Sequence, residues 1–392
     1  MLLITETDAL VGFCDRLAQA PYITVDTEFM REKTYWPILC LVQLAGPDEA
    51  AVIDAQAPGI DLAPLMALMA DPKVLKVFHA ARQDIEIFFH LSGKIPAPLF
   101  DTQVAAMVCG FGDSVGYETL ATKLARARID KSMRFTDWSH RPLSEKQLHY
   151  ALSDVTHLRV AYEKLQEMLD KSGRTRWVEE EMAVLTNPAT YQPDPYEAWR
   201  RLKVRSTNAK FLSVLRELAA WRDLAAQDKD VPRNRILRDD ALLNIAAHAP
   251  KTEDELFNTR GLGRNGFSPS MKDGILAAVA KGREREAECV ALLEEKTELP
   301  RGLAPVVDLL KVLLKMKSES SDVAQRLIAG SADLELIAAD DNADVAALNG
   351  WRRELFGDDA LALKHGKLAL AIKGKNVSLV SLEQSGKKAA NG

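Results

Sequence analysis

The sequence predicts an α/β domain with one central sheet, followed by two all-α helical bundle domains. In the first half of the chain, short β-rich runs alternate with helical patterns, which is the succession expected of strands covered by helices. In the second half, strand signals nearly vanish and apolar residues recur at helical spacing. Residues 187–195, between the two halves, hold three prolines and are typical of a linker. A chain of 392 residues also exceeds one ordinary domain.

The elements of the first half follow one another from near the N-terminus. Each predicted strand is a short run rich in β-branched and other apolar residues, and each predicted helix shows a helical period. The predicted strands cover residues 22–29, 38–44, 51–53 and 74–79, and the predicted helices cover residues 81–91, 102–110 and 144–169. Together they give one sheet flanked by helices over residues 1–195.

The second half divides into two helical units. In the first unit, residues 208–288, the helical spacing is carried by Phe211, Val214, Leu215, Leu218, Trp221 and Leu224. A glycine-rich loop at 261–266 precedes a further helix over 271–282. Residues 289–383 predict a second helical unit, and the Ser-, Gly- and Lys-rich residues 384–392 predict a disordered tail.

Composition excludes several classes of protein. The four cysteines have no CxxC or metal-ligand spacing, so they predict neither a disulfide framework nor a zinc site, and they fit a reducing cytoplasm. No basic residue precedes Arg16, so the first residues do not resemble a secretory signal. No apolar run approaches the roughly 20 residues that a membrane helix needs. We therefore expect a soluble, cytoplasmic protein without a membrane partner.

Charge is distributed unevenly behind a formal net charge of −5. Residues 1–198 hold 19 Lys and Arg against 28 Asp and Glu, residues 199–288 hold 18 against 13, and residues 289–392 hold 14 against 15. The middle segment is therefore the candidate surface for a polyanion. Its candidate phosphate contacts, for which a solvated charged face is the alternative, are Arg233, Arg235, Arg238, Arg260, Arg264 and Lys272.

Two acidic residues lie on one face of the first predicted strand. Apolar Ile23 and Val25 alternate with polar positions, so Asp26 and Glu28 project their carboxylates to the same side. Acidic residues are depleted in strands, and like charges so close repel unless a cation lies between them. A solvated edge strand would carry the same pattern, so the Asp-x-Glu motif alone is a weak signal.

Three further polar residues lie on two predicted helices. Asp84 follows the fourth predicted strand, at the start of a helix, where an acid commonly complements the helix dipole. Tyr150 and Asp154 lie one turn apart on the long helix that begins with a capping box at 144–147. Taken separately, each residue is also compatible with a purely structural role.

The acids and the tyrosine together form a recognisable set of motifs. Asp26-x-Glu28, His79-Ala80-x-x-x-Asp84 and Tyr150-x-x-x-Asp154 resemble the three exonuclease motifs of the DEDD superfamily in its tyrosine variant. The segments at 26–29, 101–103, 137–139 and 141–143 are similar to the ribonuclease D family, and residues 208–288 resemble its helicase-and-RNase-D C-terminal (HRDC) module. The resemblance covers essentially the whole chain. One departure is Ala80, where much of the wider superfamily has Asn.

The resemblance implies a ribonuclease H-like mixed sheet and a 3′-to-5′ exoribonuclease that uses two Mg²⁺ or Mn²⁺ ions. It implies that Asp26 binds both ions, that Glu28 and Asp154 complete one site, and that Asp84 supports the other. Hard carboxylate oxygens suit these cations. Tyr150 would orient the attacking water, because an unperturbed tyrosine pKa near 10 makes it a poor direct base.

Substrate contacts near the acids are less clearly indicated. Trp138 and Phe29 are candidates for stacking on a terminal base, although core packing is the alternative for Phe29. Thr27 is a third candidate contact, whereas His79 lies in a β-rich run and is predicted to be a packed histidine. The resemblance implies transfer RNA precursors as the partner. No long heptad pattern requires a second chain, so we expect a monomer.

Two other functions stay open. A DNA 3′-to-5′ exonuclease of the proofreading type would use the same acids and tyrosine, although the basic helical unit disfavours it. A non-catalytic RNA-binding or scaffold protein is disfavoured because every predicted metal ligand is present. A helicase is excluded, since no GxxxxGK[ST] loop occurs and the Gly261-x-Gly263-x-x-Gly266 pattern lacks a preceding strand.

Overall fold

The computed structural model of the protein describes residues 2–204, 206, 208–260, 262, 268–287, 300 and 302–382. Its N-terminal part contains a six-stranded sheet made of β1 (Leu2–Ile4), β2 (Tyr22–Met30), β3 (Ile38–Ala45), β4 (Ala50–Asp54), β5 (Leu75–Phe78) and β6 (Leu99–Asp101). The strand order is β1-β4-β3-β2-β5-β6. Strand β3 runs antiparallel to both neighbours, and the other pairs are parallel. The predicted mixed sheet is confirmed.

Helices cover this sheet and connect its strands. They are α1 (Thr7–Leu17), α2 (Ala63–Met69), α3 (Arg82–Ser92), α4 (Thr102–Val108), α5 (Tyr117–Ala125), α6 (Glu145–Ser172) and α7 (Thr175–Leu185). The predicted capping box opens α6: the Ser144 hydroxyl accepts from the Gln147 N–H at 3.3 Å, and the Gln147 side chain accepts from the Ser144 N–H at 3.0 Å. The helix then crosses β2, β3 and β4.

Each strand and helix predicted for this part is confirmed to within three residues of its observed ends. The sequence prediction missed β1 and β6. Both strands are only three residues long, which is too short to show an alternating pattern. The proline-rich segment forms two short 3₁₀ helices, Pro188–Thr190 and Pro195–Arg201, that lead out of the sheet domain.

The middle of the chain is a helical unit with a core of its own. It contains α8 (Ala209–Asp228), α9 (Arg233–Ile236), α10 (Asp239–His248), α11 (Glu253–Phe257) and α12 (Pro269–Glu284). Helices α8 and α12 pack closely at Gly282, where an added Cβ would lie 2.5 Å from the Val214 Cα. Tyr35, from the segment between β2 and β3, is inserted into this core and is 6% exposed. All three glycines of the GxGxxG pattern lie outside the described residues.

The C-terminal unit differs from the all-helical prediction. It contains α13 (Ala304–Ser321), α14 (Gln325–Ile328), α15 (Ser331–Ala339), α16 (Gly350–Arg352), a π-helical turn (Arg353–Gly357) and α17 (Asp358–Lys364). It then ends in an antiparallel hairpin of β7 (Leu368–Lys373) and β8 (Asn376–Ser381). The expectation of an all-helical unit over 289–383 was wrong at its end, because Gly374 adopts the left-handed conformation, φ +67°, and turns the chain back between two strands.

The C-terminal unit shares one hydrophobic core with the sheet domain. The rings of Trp177 and Trp351 stack with centroids 4.5 Å apart, and the Ala324 N–H donates to the Met107 carbonyl at 3.0 Å. The predicted boundary at 288–289 and the predicted tail at 384–392 lie outside the described residues. Over the described part of the chain, no helix is both long enough and apolar enough to span a membrane.

Candidate active site

Strand β2 positions two of the candidate acids directly below helix α6. The alternation along the strand places Thr24 on the same face as Asp26 and Glu28. The Thr24 hydroxyl donates to the backbone carbonyl of Val155 on α6 at 2.9 Å. The face of β2 that carries both acids is therefore the face that α6 crosses, which brings Asp154 next to them.

Three carboxylates meet at this crossing. Ligand oxygens of Asp26, Glu28 and Asp154 all lie within 4.8 Å of one another. The group opens into a cavity of about 400 Å³. Side chains that line the cavity include Asp26, His79, Gln103, Tyr117, Arg134, Tyr150 and Asp154. Residues separated by 128 positions in the chain thus form one acidic site.

Asp84 lies beside this group without belonging to its tightest part. It is 7% exposed in the first turn of α3, and it accepts a hydrogen bond from the Thr27 hydroxyl. Its charge nevertheless raises the pKa of Asp26 and of Glu28. The fourth predicted acid is therefore close enough to act on the same ligand.

Burial and mutual repulsion make the metal-free site electrostatically unfavourable. Burial first, and then the charges of Asp154 and Asp84, raise the pKa of Glu28 to about 9. Burial raises the pKa of Asp154 to about 7, and the pKa of Asp26 also rises well above its ordinary value. The Asp154 Oδ1 atom is buried and has no hydrogen-bond partner among the described residues. These donors fit a hard divalent cation, which would relieve the repulsion and bind the orphaned oxygen.

Two tyrosines support the acid on α6. Burial, and then the charge of Asp154, raise the pKa of Tyr150, so its phenol stays protonated near neutral pH. A hydrogen bond from Tyr150 in turn favours the ionised form of Asp154. The Tyr117 hydroxyl donates to the backbone carbonyl of Asp154 at 2.6 Å and fixes this turn of α6. Sequence reasoning missed Tyr117, which lies outside the quoted motifs.

The structure corrects two of the predicted substrate contacts. Trp138 is 3% exposed and stacks on Tyr150, so the expected stacking on a substrate base was wrong. Thr27 is 6% exposed and its hydroxyl is engaged by Asp84, so it supports an acid instead of facing a substrate. Phe29 is half-buried and packs against the main core, which is the alternative that the sequence offered.

None of the predicted basic residues that the structure describes lines the acidic cavity. Arg233 bonds to the carboxylate of Asp223 and donates to the Tyr35 hydroxyl at 2.6 Å. Lys272 forms an ion pair with Glu253 at 2.8 Å. Exposed side chains are found at Arg235, Arg238 and Arg260, and Arg264 lies outside the described residues.

His79 is placed differently from a simply packed histidine. Its Nδ1 is 3.0 Å from the Thr102 hydroxyl, which itself donates to the Phe78 carbonyl. Its Nε2 is buried, has no hydrogen-bond partner among the described residues, and belongs to a ring that lines the cavity. Burial lowers the pKa of His79, so the ring is neutral at physiological pH. The only sequence signal was its place at the start of the second motif.

Known proteins similar to this chain share both of its predicted parts. A family model described as 3′-5′ exonuclease matches residues 1–170, and a model described as HRDC domain matches residues 211–286. A ribonuclease D of Nitrobacter hamburgensis is 55% identical over 374 residues, which cover 95% of this chain and 97% of that protein. A ribonuclease D of Granulibacter bethesdensis is 51% identical over 381 residues, which cover 97% and 96%.

A solved structure extends the similarity to the fold. The crystal structure of Escherichia coli RNase D, described as an exoribonuclease involved in structured RNA processing, superposes with a TM-score of 0.75 at 29% identity. The match covers 93% of this chain and 98% of that one. Fold and site together define a 3′-to-5′ exonuclease of the divalent-metal type with an HRDC domain. The chain belongs to the ribonuclease D family. It is a hydrolase that degrades RNA from the 3′ end, as the sequence predicted.

Proposed function

We propose that this exoribonuclease works with two Mg²⁺ or Mn²⁺ ions, held by Asp26, Glu28, Asp84 and Asp154, and that it trims the 3′ extensions of transfer RNA precursors. The observation that carries the proposal is the meeting of Asp26, Glu28 and Asp154 oxygens within 4.8 Å, with Asp84 beside them. Three carboxyls in so small a volume can all be ionised near neutral pH only with cations among them.

The four acids divide naturally between two ions. Besides burial, the charges of Asp154, Asp84 and Glu28 all raise the pKa of Asp26, so Asp26 lies close to each of the other acids. We therefore assign it to both ions. Glu28 and Asp154 complete one site with it, and Asp84, outside the tightest group, supports the second. When bound, the cations would supply a nucleophilic hydroxide near neutral pH and neutralise charge on the phosphate.

Tyr150 acts on the attacking water as a hydrogen-bonding group. Its raised pKa keeps the phenol protonated, so it cannot serve as the base at neutral pH. Its place in the cavity beside Asp154 suits a role in orienting a water molecule toward the terminal phosphate. Glu28, which is half-buried in this site, would accept a hydrogen bond from a terminal ribose hydroxyl and so favour a 3′ end.

The proposal extends to the substrate, the oligomeric state and the location of the protein. The Escherichia coli relative processes structured RNA, and we extend this to precursors of transfer RNA. The exposed Arg235, Arg238 and Arg260 remain candidate phosphate contacts, which salt-dependent binding would reveal. We propose a monomer in the cytoplasm, where the free thiols of Cys14, Cys40 and Cys109 would stay reduced.

The proposal is tested with a structured RNA that carries a 3′ extension. With Mg²⁺, we expect 5′-mononucleotides and trimming that stops at the stem, and chelator should abolish both. Asp26→Ala should abolish turnover, whereas Tyr150→Phe should lower kcat with little loss of RNA binding. Full activity of Tyr150→Phe would disprove the role given to its hydroxyl. Equal digestion of a matched DNA would contradict the choice of substrate, since discrimination depends on the 2′-hydroxyl.

A further inference from the structure

A second cleft lies where the sheet domain meets the HRDC domain. It has a volume of about 390 Å³, and it is distinct from the acidic cavity because the two share no lining residue. Four arginines line it: Arg31, Arg201, Arg222 and Arg233. The lining includes a single acid, Asp239. We name this site the arginine cleft.

The arginine cleft contains a buried donor that the protein leaves unused. The Arg222 side chain is only 6% exposed. One of its nitrogens donates to the Leu237 carbonyl at 2.9 Å and to Asp239 at 2.6 Å. Its Nε is buried with no hydrogen-bond partner among the described residues. Buried donors are almost always paired, so this unpaired Nε marks Arg222, a residue that lines the cleft, as one whose hydrogen bonding the described residues do not complete.

Further donors in the cleft are accessible. Arg201 is exposed and has no ion-pair partner within the described part of the chain. The side chains of Arg31 and Arg233 are 38% and 30% exposed, although each also pairs with an acid, Glu86 and Asp223 respectively. The guanidinium groups therefore line a common space. Some of their N–H donors bond to acids of the protein and others remain available, which suits the binding of a phosphate group.

The walls of the cleft are held in place across the two domains. The backbone N–H groups of Tyr35 and Trp36 both donate to Asp230 at 3.0 Å, which joins the β2–β3 segment to the HRDC domain. The Trp36 ring stacks on His90 of α3, with centroids 4.3 Å apart. A site built on fixed elements binds without a large ordering cost.

The arginine cleft is adjacent to the acidic site along the chain. Arg31 comes three residues after Glu28, at the end of β2, and three extended residues span about 10 Å. Arg31 forms two hydrogen bonds with Glu86, at 2.7 and 2.8 Å, and Glu86 lies two residues after Asp84 on α3. Arg31 thus links the cleft to strand β2, which carries Asp26 and Glu28, and to helix α3, which carries Asp84.

We propose that the arginine cleft holds a backbone phosphate of the RNA, upstream of the bond that is cut. This inference rests on the proposed function, because the acidic site repels the phosphates that follow the terminal nucleotide unless cations lie nearby. The arginine cleft, whose Arg31 lies three residues beyond Glu28, offers complementary charge for these phosphates in addition to Arg134, which lines the acidic cavity itself. The sequence prediction placed its phosphate contacts in the HRDC domain alone, where it named Arg233, and it missed Arg31, Arg201 and Arg222.

The test compares Arg201→Gln with Arg200→Gln in the full-length protein. Both arginines are on the same short 3₁₀ helix, but Arg200 does not line the cleft and pairs with Glu197 instead. The substrates are oligouridylates that range from the dinucleotide, whose one phosphate is the scissile one, to about an octamer. We expect Arg201→Gln to raise KM for longer substrates roughly fivefold or more, and to leave the dinucleotide unchanged. For Arg201→Gln, the slope of the logarithm of the RNA-binding constant against the logarithm of the salt concentration should decrease in magnitude by about 0.7.

The possible outcomes distinguish a failure of this inference from a failure of the proposed function on which it rests. If wild type hydrolyses every length and Arg201→Gln behaves like Arg200→Gln throughout, the cleft does not hold RNA. If Arg201→Gln impairs the dinucleotide equally, Arg201 acts on the catalytic site, and the upstream assignment is wrong. If inorganic phosphate binds wild type but not Arg201→Gln, with no dependence of KM on chain length, the cleft is a site for free anions. Failure of wild type on all RNAs would overturn the proposed function itself.

Discussion

The indole ring of Trp138 stacks on the phenol ring of Tyr150, with centroids 6.0 Å apart and an angle of 29° between the planes. Trp138 belongs to a small buried cluster with Cys40, Leu41 and Ala151, between β3 and the start of α6. The stack therefore fixes the ring of Tyr150 from the side of the core. The opposite side of Tyr150 is free to line the acidic cavity.

We expect Trp138→Phe to lower kcat about threefold to tenfold while KM changes little, because a smaller ring holds Tyr150 less firmly. If Trp138 acts through Tyr150, the double variant Trp138→Phe/Tyr150→Phe should be no slower than Tyr150→Phe alone. Steady-state kinetics on a single-stranded RNA measure both effects. Equal losses in the two backgrounds would show that Trp138 matters for another reason, and a melting curve would control for unfolding.

We expect the metal-free protein to lose stability as the pH rises. Unfolding would return the pKa of Glu28 from about 9, and those of Asp84 and Asp154 from about 7, to ordinary values near 4. The folded state therefore binds more protons between about pH 4 and pH 9, and its stability falls through that window. In chelator, the melting temperature should decline from about pH 5.5 to about pH 8.5, and excess Mg²⁺ should restore it.

Glu28→Gln tests the cause of this decline. In chelator near pH 8, it should melt at least about 3 °C above wild type, although it loses activity, because the buried Gln is neutral without taking up the proton that folding of wild type requires at this pH. Glu32→Gln, which changes an exposed acid shortly beyond the same strand, is the matched control. A melting temperature of Glu28→Gln equal to that of the control would show that the acids do not strain the metal-free fold.

We expect Thr27→Val to weaken metal binding through Asp84. The Thr27 hydroxyl donates to Asp84 and lowers its pKa, against the larger effect of burial. Without it, the carboxyl is ionised less at neutral pH, so the Mg²⁺ concentration for half-maximal activity should rise roughly threefold or more, and the acid limb of the activity profile should move to higher pH. Thr27→Ser keeps a hydroxyl and should resemble wild type. Identical Mg²⁺ titrations for Thr27→Val and Thr27→Ser would show that the Thr27 hydroxyl does not affect metal binding through Asp84.

We expect Ala80→Asn to stabilise the fold by about 0.5–1 kcal/mol. Ala80 has a φ of +59°, in the left-handed region, and its backbone N–H donates to Asp101 at 3.0 Å. Asn tolerates this left-handed conformation better than Ala. Thermal unfolding measures the gain. Ala80→Val, with a β-branched side chain, should lower the melting temperature, and the reverse order would contradict the argument.

Local patterns predicted most of the sheet domain. The alternation of apolar residues predicted the one strand, β2, that carries both Asp26 and Glu28, and the capping box predicted the start of the helix that carries Asp154. Weak local signals account for the misses. Strand β6 is three residues long, and the hairpin of β7 and β8 lies only half-buried at the end of a helical unit. In neither place does a sequence window contain enough alternation to compete with its helical surroundings.

The sequence by itself identified the candidate acids and the candidate tyrosine, because motif spacing and strand alternation are properties of short segments. Only the tertiary structure decided what each of them touches. It buried Trp138 against Tyr150, turned the Thr27 hydroxyl to Asp84, and gathered Arg31, Arg201 and Arg222 into one cleft from three separate elements. Such contacts depend on how helices and strands pack across long sequence separations, and no local periodicity records that packing.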